Sequence, residues 1–260
     1  MIFSGEFVPG IDLVDVCLWA FVIFFFGLVF FLQAEGRREG YPLEADTTGK
    51  IDNPNQVWIP TPKKFRMPHG REDVLAPNGK RETRKLALKR QFPWPGSAYL
   101  PTGNPMVDGV GPASYAERLD APDLTDDGRN RIVPFRVDDD YTVAKEDADP
   151  RGMAVLGTDD KVAGTVTDLW VDQSEAVIRY LEVELPGAGG PTNVLLPMGF
   201  AKIVGSKRQV EVHAIKSDQF ADVPKTKSPD SVTRLEEDKI MGYYGGGKLY
   251  ATPDRVEPWV

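Results

Sequence analysis

An uninterrupted apolar run over residues 16–32 constrains the fold of this sequence more than any other feature. No charged residue interrupts the run, and the uncharged stretch continues through Ala34. At ~1.5 Å of rise per helical residue, such a helix spans roughly the ~30 Å hydrocarbon core of a bilayer. We therefore predict a transmembrane helix over residues 12–34, preceded by a short N-terminal segment, residues 1–11.

The residues that flank the run favour a retained anchor over a cleaved signal peptide. A signal peptide begins with a basic region, whereas no Lys or Arg precedes Arg37 here. Arg37 and Arg38 follow the run, and Tyr41 comes at the expected level of the lipid headgroups. Because basic residues stay on the cytoplasmic side, we predict an outside N-terminus, a cytoplasmic C-terminal part and these three residues at the membrane interface. A signal peptide and an unusually apolar buried helix are the alternatives.

Composition and charge argue against several classes of function. The 260 residues carry a net charge of −8, and no basic stripe with interleaved aromatic side chains supports nucleic-acid binding. The single cysteine, Cys17, lies in the apolar run, which excludes a disulfide framework and a multi-cysteine metal site. Neither histidine, His69 or His213, has an identifiable nucleophile partner. We therefore predict no catalytic residues and no metal site.

The remainder of the chain divides into four regions by composition. Residues 35–105 are rich in proline and glycine and are predicted to be extended, with apolar side chains that lie over a surface. Residues 106–152 connect them to residues 153–224, where short β-rich runs alternate with polar turns, which predicts a small antiparallel barrel or sandwich. Residues 225–260 form a helix and a tail. The predicted strands cover residues 162–171, 177–185, 193–196, 201–204 and 209–215.

The C-terminal helix is predicted over residues 231–244. Thr233 with Glu236 resembles a capping box at its start, although Asp230 and Ser231 are equally good caps.

A glycine-rich stretch, residues 242–248, follows the spacing of a phosphate-binding loop up to its lysine. Such a loop needs a strand before it and Ser or Thr after the lysine, but a predicted helix precedes this stretch and Leu249 follows the lysine. We interpret the stretch as a helix-terminating glycine turn. The acidic clusters within residues 126–149 lack the spacing of a calcium loop and are interpreted as solvated loops.

Asp172, Glu175 and Arg179 crowd around one predicted hairpin turn. Burial or a neighbouring like charge can raise the pKa of a carboxyl until it exchanges protons near neutral pH. The pattern by itself favours a solvated turn with an ion pair, and a proton relay is the second interpretation.

The anchor, the sequence that follows it (residues 38–43, REGYPL) and the barrel strands together resemble the H subunit of the purple bacterial photosynthetic reaction centre. The resemblance covers nearly the whole chain in order. The other stretches that carry it are residues 67–70 (MPHG), 101–106 (PTGNPM), 108–115 (DGVGPASY), 164–172 (GTVTDLWVD), 179–184 (RYLEVE) and 236–239 (EEDK).

This resemblance implies a single transmembrane helix and a mainly β cytoplasmic domain that contains a PRC-type β-barrel. It implies a non-catalytic subunit that caps and stabilises the L and M subunits and helps conduct protons to the secondary quinone. The chain itself would bind no cofactor, whereas L and M would hold bacteriochlorophyll, bacteriopheophytin, quinones and a non-haem iron. The implied location is the bacterial inner, intracytoplasmic membrane with a periplasmic N-terminus. Membrane lipids, an antenna complex and a cytochrome subunit are further expected partners.

The resemblance also implies a set of proton-transfer residues. They are Asp172, Glu175 and Arg179, with Asp123, Arg131 and Glu237 as weaker matches. Some family members carry a histidine pair for proton uptake in the loop that here holds Asp127 and Arg129. We hypothesise that carboxylates such as Asp123, Asp126 and Asp127 replace that pair.

The chief alternative is a membrane-anchored adaptor that uses a PRC-type barrel only to bind partners and has no photochemical role. A membrane enzyme comes third, because the sequence shows no nucleophile–base pair.

Overall fold

The computed structural model describes residues 6–8, 11–51, 59–81, 83–138, 140–187, 190 and 192–256. The chain forms two compact units. The first unit comprises Met1–Arg84 and Phe92–Ala98, and the second comprises Lys85–Gln91 and Tyr99–Val260. A long apolar helix dominates the first unit, and a curled sheet covered by a helix dominates the second.

Helix α1, Leu13–Glu35, forms where the apolar run predicts it. It follows a hairpin of β1, Glu6–Val8, and β2, Ile11–Asp12. The Asp12 side chain accepts a hydrogen bond from the backbone N–H of Asp15, and the Asp15 side chain accepts one from the N–H of Asp12, which caps the helix. No side chain of α1 is buried within the chain, and the helix is long and apolar enough to cross a membrane.

The described part of residues 35–105 contains four strands of three residues each. In the first unit, β3, Lys63–Phe65, pairs with β4, Val74–Ala76. In the second unit, β5, Leu88–Arg90, pairs with β6, Tyr99–Pro101.

The second unit contains a short helix, α2, Pro105–Asp108, followed by a seven-stranded sheet. The strands are β7, Ile132–Pro134; β8, Ala154–Leu156; β9, Val162–Asp172; β10, Val177–Leu185; β11, Thr192–Pro197; β12, Ala201–Val204; and β13, Gln209–Val212. Their order is β11-β10-β9-β8-β13-β12, with β7 paired to the end of β9. This confirms the predicted mainly β domain, although β8 and β13 pair in parallel, which the prediction of an antiparallel sheet did not include.

Two register shifts between β9 and β10 accompany the curl of the sheet. They fall between Ile178 and Tyr180 and between Glu182 and Val183, and such irregularities bend a strand and increase its local twist. The strand predicted over residues 209–215 stops at Val212. The next two backbone carbonyls accept hydrogen bonds from the side chain of Arg255 instead of joining the ladder.

Helix α3, Arg234–Tyr250, packs its buried face into the core formed by the sheet. Thr233 is its N-cap and forms the predicted capping box with Glu236, through hydrogen bonds of 3.1 and 2.8 Å.

The glycine-rich stretch, residues 242–248, is part of α3, so its interpretation as a helix-terminating turn is wrong. A Cβ atom at Gly242 would lie 2.7 Å from the backbone oxygen of Ala113, and one at Gly246 would lie 2.5 Å from the Ala113 Cβ. The glycines therefore serve close packing, because they let the helix approach the segment around Ala113 without a side chain between them.

Tyr244 is fully buried and packs against Phe200 and Phe220, and its hydroxyl has no hydrogen-bond partner among the described residues. Burying a hydroxyl without a partner costs about 1–3 kcal/mol. We therefore expect Tyr244→Phe to raise the free energy of unfolding by about 1 kcal/mol, measured by urea denaturation of the full chain in detergent. Tyr243→Phe is the control, because that hydroxyl donates to the backbone oxygen of Gln219 at 2.7 Å and its loss should destabilise the chain. A destabilised Tyr244→Phe variant would contradict this expectation.

Candidate functional site

Arg131 lies at the centre of a charged cluster at one end of the sheet. It directly precedes β7, and the pairing of Ile132 with Asp172 places it beside the last residue of β9. The Arg131 guanidinium donates to the Asp172 carboxylate at 2.9 Å and to the Glu175 carboxylate at 2.6 Å. The Asp123 carboxylate lies 3.6 Å from the same guanidinium. The fold thus brings together residues that are far apart in the sequence.

Asp172 is the buried, ionised member of this cluster. Burial disfavours its charged form, but the hydrogen bonds and positive charge of Arg131 outweigh burial and lower the pKa of Asp172. The backbone N–H groups of Ser174 and Glu175 also donate to this carboxylate. In turn, the hydrogen bonds to Asp172 raise the pKa of Arg131. Asp172 is therefore buried and not solvated, but it does form an ion pair, with Arg131, and its pKa is lowered and not raised.

Glu237 is the carboxyl of the cluster whose pKa is raised. It lies near the start of α3, and its Oε2 accepts a hydrogen bond of 2.9 Å from the Tyr180 hydroxyl. Burial raises the pKa of Glu237, and the hydrogen bond from Tyr180 and the charge of Arg179 only partly oppose this effect. The negative charges of Asp123 and Asp172 raise it further. The pKa of Glu237 is thus shifted in the direction that a proton-exchanging carboxyl requires.

A surface cleft of about 560 Å³ opens onto this cluster. Charged side chains of Glu175, Arg179 and Glu237 line it, together with the exposed apolar side chains of Val177 and Met241. The other lining residues are Arg118, Asp123, Ile178, Tyr180, Pro197, Met198, Gly199, Arg234 and Asp238. In the part of the chain that the structure describes, no group of three or more His, Cys, Asp or Glu side chains is arranged to hold a metal ion.

Asp126, Asp127 and Arg129 lie in a turn that leads to Arg131. The backbone N–H of Thr125 donates to the backbone oxygen of Arg129 at 2.9 Å and closes this turn. The Arg129 side chain donates to the Asp127 carboxylate at 2.9 Å, and this bond lowers the pKa of Asp127. The position of the histidine pair therefore carries an exposed ion pair, and proton uptake by the neighbouring carboxylates stays a prediction.

The predicted interface residues follow the end of α1. Arg38 is mostly buried, and its Nη1 donates to the backbone oxygens of Thr61 at 3.0 Å and Ala76 at 2.7 Å. The Arg37 guanidinium lies 5.5 Å from the centre of the Tyr41 ring. Arg38 thus joins the β3–β4 hairpin to the end of α1, a role that the sequence did not indicate.

A second buried network, around Arg136, was missed by the sequence patterns. Alternation along β10 places Glu182 on the face opposite Leu181 and Val183, yet Glu182 is only 4 % exposed. It accepts hydrogen bonds from Arg136 at 2.7 Å, from the Trp170 indole at 2.8 Å and from the Asn193 amide at 2.5 Å. Arg136 also donates to Asp168 at 3.0 Å. Alternation along β10 indicates which face Glu182 occupies but not which residues cover that face.

Comparison with known protein families gives two matches. A family described as the photosynthetic reaction centre H-chain N-terminal region matches residues 5–137, just over half of the chain. The PRC-barrel domain family matches residues 143–219, which include β8 to β13. The two matches follow each other along the chain and cover both the apolar helix and the curled sheet. The chain therefore belongs to the family of photosynthetic reaction centre H chains, a structural subunit of that membrane complex.

Proposed function

We propose that this chain caps the L and M subunits of the reaction centre on the cytoplasmic side, stabilises them and helps conduct protons to the secondary quinone. The observation that carries the proposal is the cleft in which Glu175, Arg179 and Glu237 meet beside exposed apolar side chains. The apolar part of that wall suits contact with a partner protein, and the charged part suits proton exchange. Helix α1, with no side chain buried within the chain, suits packing against partner helices and lipid.

The two kinds of carboxylate in the cluster suit different tasks. Arg131 keeps Asp172 ionised, so this pair supplies a fixed arrangement of charge. Glu237 has a raised pKa and can hold a proton at a pH where Asp172 cannot. The Glu175 carboxylate is bound to Arg131, and its side chain is half exposed to the cleft. A proton can therefore enter through an exposed carboxylate such as Glu175 and reside on the partly buried Glu237.

The proposal includes the orientation and the partners expected from the sequence. The N-terminus lies in the periplasm and the second unit lies in the cytoplasm, because Arg37 and Arg38 follow α1. The pigments, quinones and non-haem iron belong to L and M, and this chain contributes protein groups only. Membrane lipids contact α1, and an antenna complex and a cytochrome subunit are further partners.

Glu175→Gln in the assembled complex should slow the second electron transfer to the secondary quinone by about tenfold and leave the first nearly unchanged. The second transfer slows because it is coupled to proton delivery. The decrease in its rate should be smaller than the roughly 10²–10⁴-fold typical of losing a sole general acid or base, because other carboxyls of the cleft can still carry protons. Flash-induced absorbance changes measure both steps.

Asp149→Asn is the matched control for Glu175→Gln. Asp149 is also an exposed carboxylate paired with an arginine, Arg151, but it does not line the cleft. It should leave both transfer rates unchanged. If Glu175→Gln matches the unmodified complex in both steps, Glu175 does not lie on the proton path. If the chain does not assemble with L and M, the adaptor alternative replaces the proposal.

A further inference from the structure

The Tyr180 hydroxyl donates a hydrogen bond of 2.9 Å to the Glu237 carboxyl. Tyr180 lies within β10, and its strand neighbours are Trp170 on β9 and Pro197 on β11. The residue is 3 % exposed, so neighbouring strands and the core fix the direction of its ring. The hydroxyl is thus presented by a buried residue in the middle of the sheet, whereas the carboxyl that it contacts belongs to α3.

We propose that Tyr180 is a positioning residue for Glu237, whose hydroxyl holds the carboxyl at the cleft wall and sets the pH at which it exchanges a proton. The inference rests on the proposed function of the cleft and names a residue that controls it.

Glu237 differs from the other carboxylates that line the cleft in the kind of partner it has. Asp123 and Glu175 form ion pairs with Arg131, and Asp238 forms one with Arg118 at 3.0 Å. Among the described residues, the hydrogen-bond partner found for Glu237 is the neutral hydroxyl of Tyr180. The positive charge of an arginine favours the ionised form of a carboxylate, whereas a neutral hydroxyl adds no charge and can bond to either protonation state.

Charged residues from several elements surround Glu237, while Tyr180 forms the hydrogen bond with its carboxyl. They are Arg234 and Asp238 on α3, Arg179 on β10, Asp172 and Glu175 at the β9–β10 turn, and Arg118, Asp123 and Arg131 in the segment before β7. Burial is the largest influence and raises the pKa of Glu237, and the Tyr180 hydrogen bond is the first that lowers it. Removing the hydroxyl should therefore raise the pKa further.

The Tyr180 hydroxyl suits both protonation states of its partner. Towards the carboxylate it donates a hydrogen bond, and towards the carboxylic acid it can rotate and accept one. Burial and the neighbouring charge of Glu237 raise the pKa of Tyr180 itself, so the phenol stays neutral while Glu237 titrates. Tyr180 therefore orients the proton-exchanging group and does not give up its own proton.

Tyr180→Phe in the purified reaction-centre complex tests this inference. Infrared difference spectroscopy follows the carboxylic acid band of Glu237 against pH, and Glu237→Gln identifies that band by removing it. Loss of the hydroxyl should move the titration midpoint of Glu237 upward by about one pH unit. The pH profile of proton uptake on reduction of the secondary quinone should move in the same direction. Tyr243→Phe removes a buried hydroxyl that is bonded to a backbone carbonyl and should leave the midpoint unchanged.

A second variant, Glu237→Asp, disrupts the same hydrogen bond by changing the carboxyl instead of the hydroxyl. The shorter aspartate side chain cannot reach the hydroxyl, while Tyr180 and its strand neighbours are unchanged. The titration midpoint of the aspartate should therefore also lie above that of Glu237, although a free aspartate titrates lower than a free glutamate. The inference is overturned if the titration midpoint of Glu237 is unchanged in Tyr180→Phe. If Tyr180→Phe does not assemble, a lowered midpoint in Glu237→Asp overturns it. If Tyr180→Phe shifts the midpoint but Glu237→Gln leaves quinone reduction unchanged, the positioning role stands and the proposed proton conduction through Glu237 fails.

Discussion

Replacing Arg136 with methionine is expected to lower the free energy of unfolding of the full chain by about 3 kcal/mol. The Arg136 guanidinium donates to Asp168 at 3.0 Å and to Glu182 at 2.7 Å, and both of these residues are buried. It also binds Asp230 at 3.1 Å and so ties the segment before α3 to the sheet. Methionine retains the aliphatic bulk but leaves two buried carboxylates without their cation, which is the costly way to break a buried ion pair.

Denaturation of the full chain in detergent, followed by the fluorescence of Trp170 and the other tryptophans, measures this loss. The matched control is Arg129→Met, because both side chains of the Arg129–Asp127 pair are exposed and such a pair contributes little to stability. Adding Glu182→Gln to Arg136→Met should recover part of the stability, because it removes one of the two buried negative charges that lack a cation. Equal losses in Arg136→Met and Arg129→Met would show that the buried network does not stabilise the fold.

Gly247→Ala is expected to destabilise the chain by about 1–3 kcal/mol, although alanine favours a helix over glycine. A Cβ atom at Gly247 would lie 2.6 Å from the backbone oxygen of Ala214 and would also overlap the Ile215 side chain. A backbone oxygen cannot rotate away as a side chain can, so helix α3 or the segment after β13 must shift. The same denaturation measurement gives the loss.

Gly245→Ala provides the internal comparison for Gly247→Ala. It lies in the same helix, and its nearest neighbour for an added Cβ is the Pro112 oxygen at 3.4 Å, which is ordinary contact. This variant should stabilise the chain by about 0.5–1 kcal/mol through the higher helix propensity of alanine. If both alanine variants change stability in the same direction, the glycines of α3 do not serve close packing.

The local patterns of the sequence predicted the regular elements well. The apolar run gave α1 to within one residue at each end, because a helix that crosses lipid needs only length and apolar character. Alternation and turn residues predicted β9 and β10, since these depend on neighbours along the chain. The end of α3 was missed because glycine usually ends a helix, and here contact with Ala113 overrides that preference.

The sequence by itself determined the anchor, the strand-forming stretches, the family resemblance and the residue types available for proton exchange. Only the tertiary structure decided which of those residues ionise readily. Arg131 lowers the pKa of Asp172, while burial beside Tyr180 raises the pKa of Glu237. These partners lie 41 and 57 positions apart in the sequence, and a pKa depends on distance, burial and charge in space. Helix α1 follows from its own residues, but the chemistry of the cleft follows from how the strands and α3 meet.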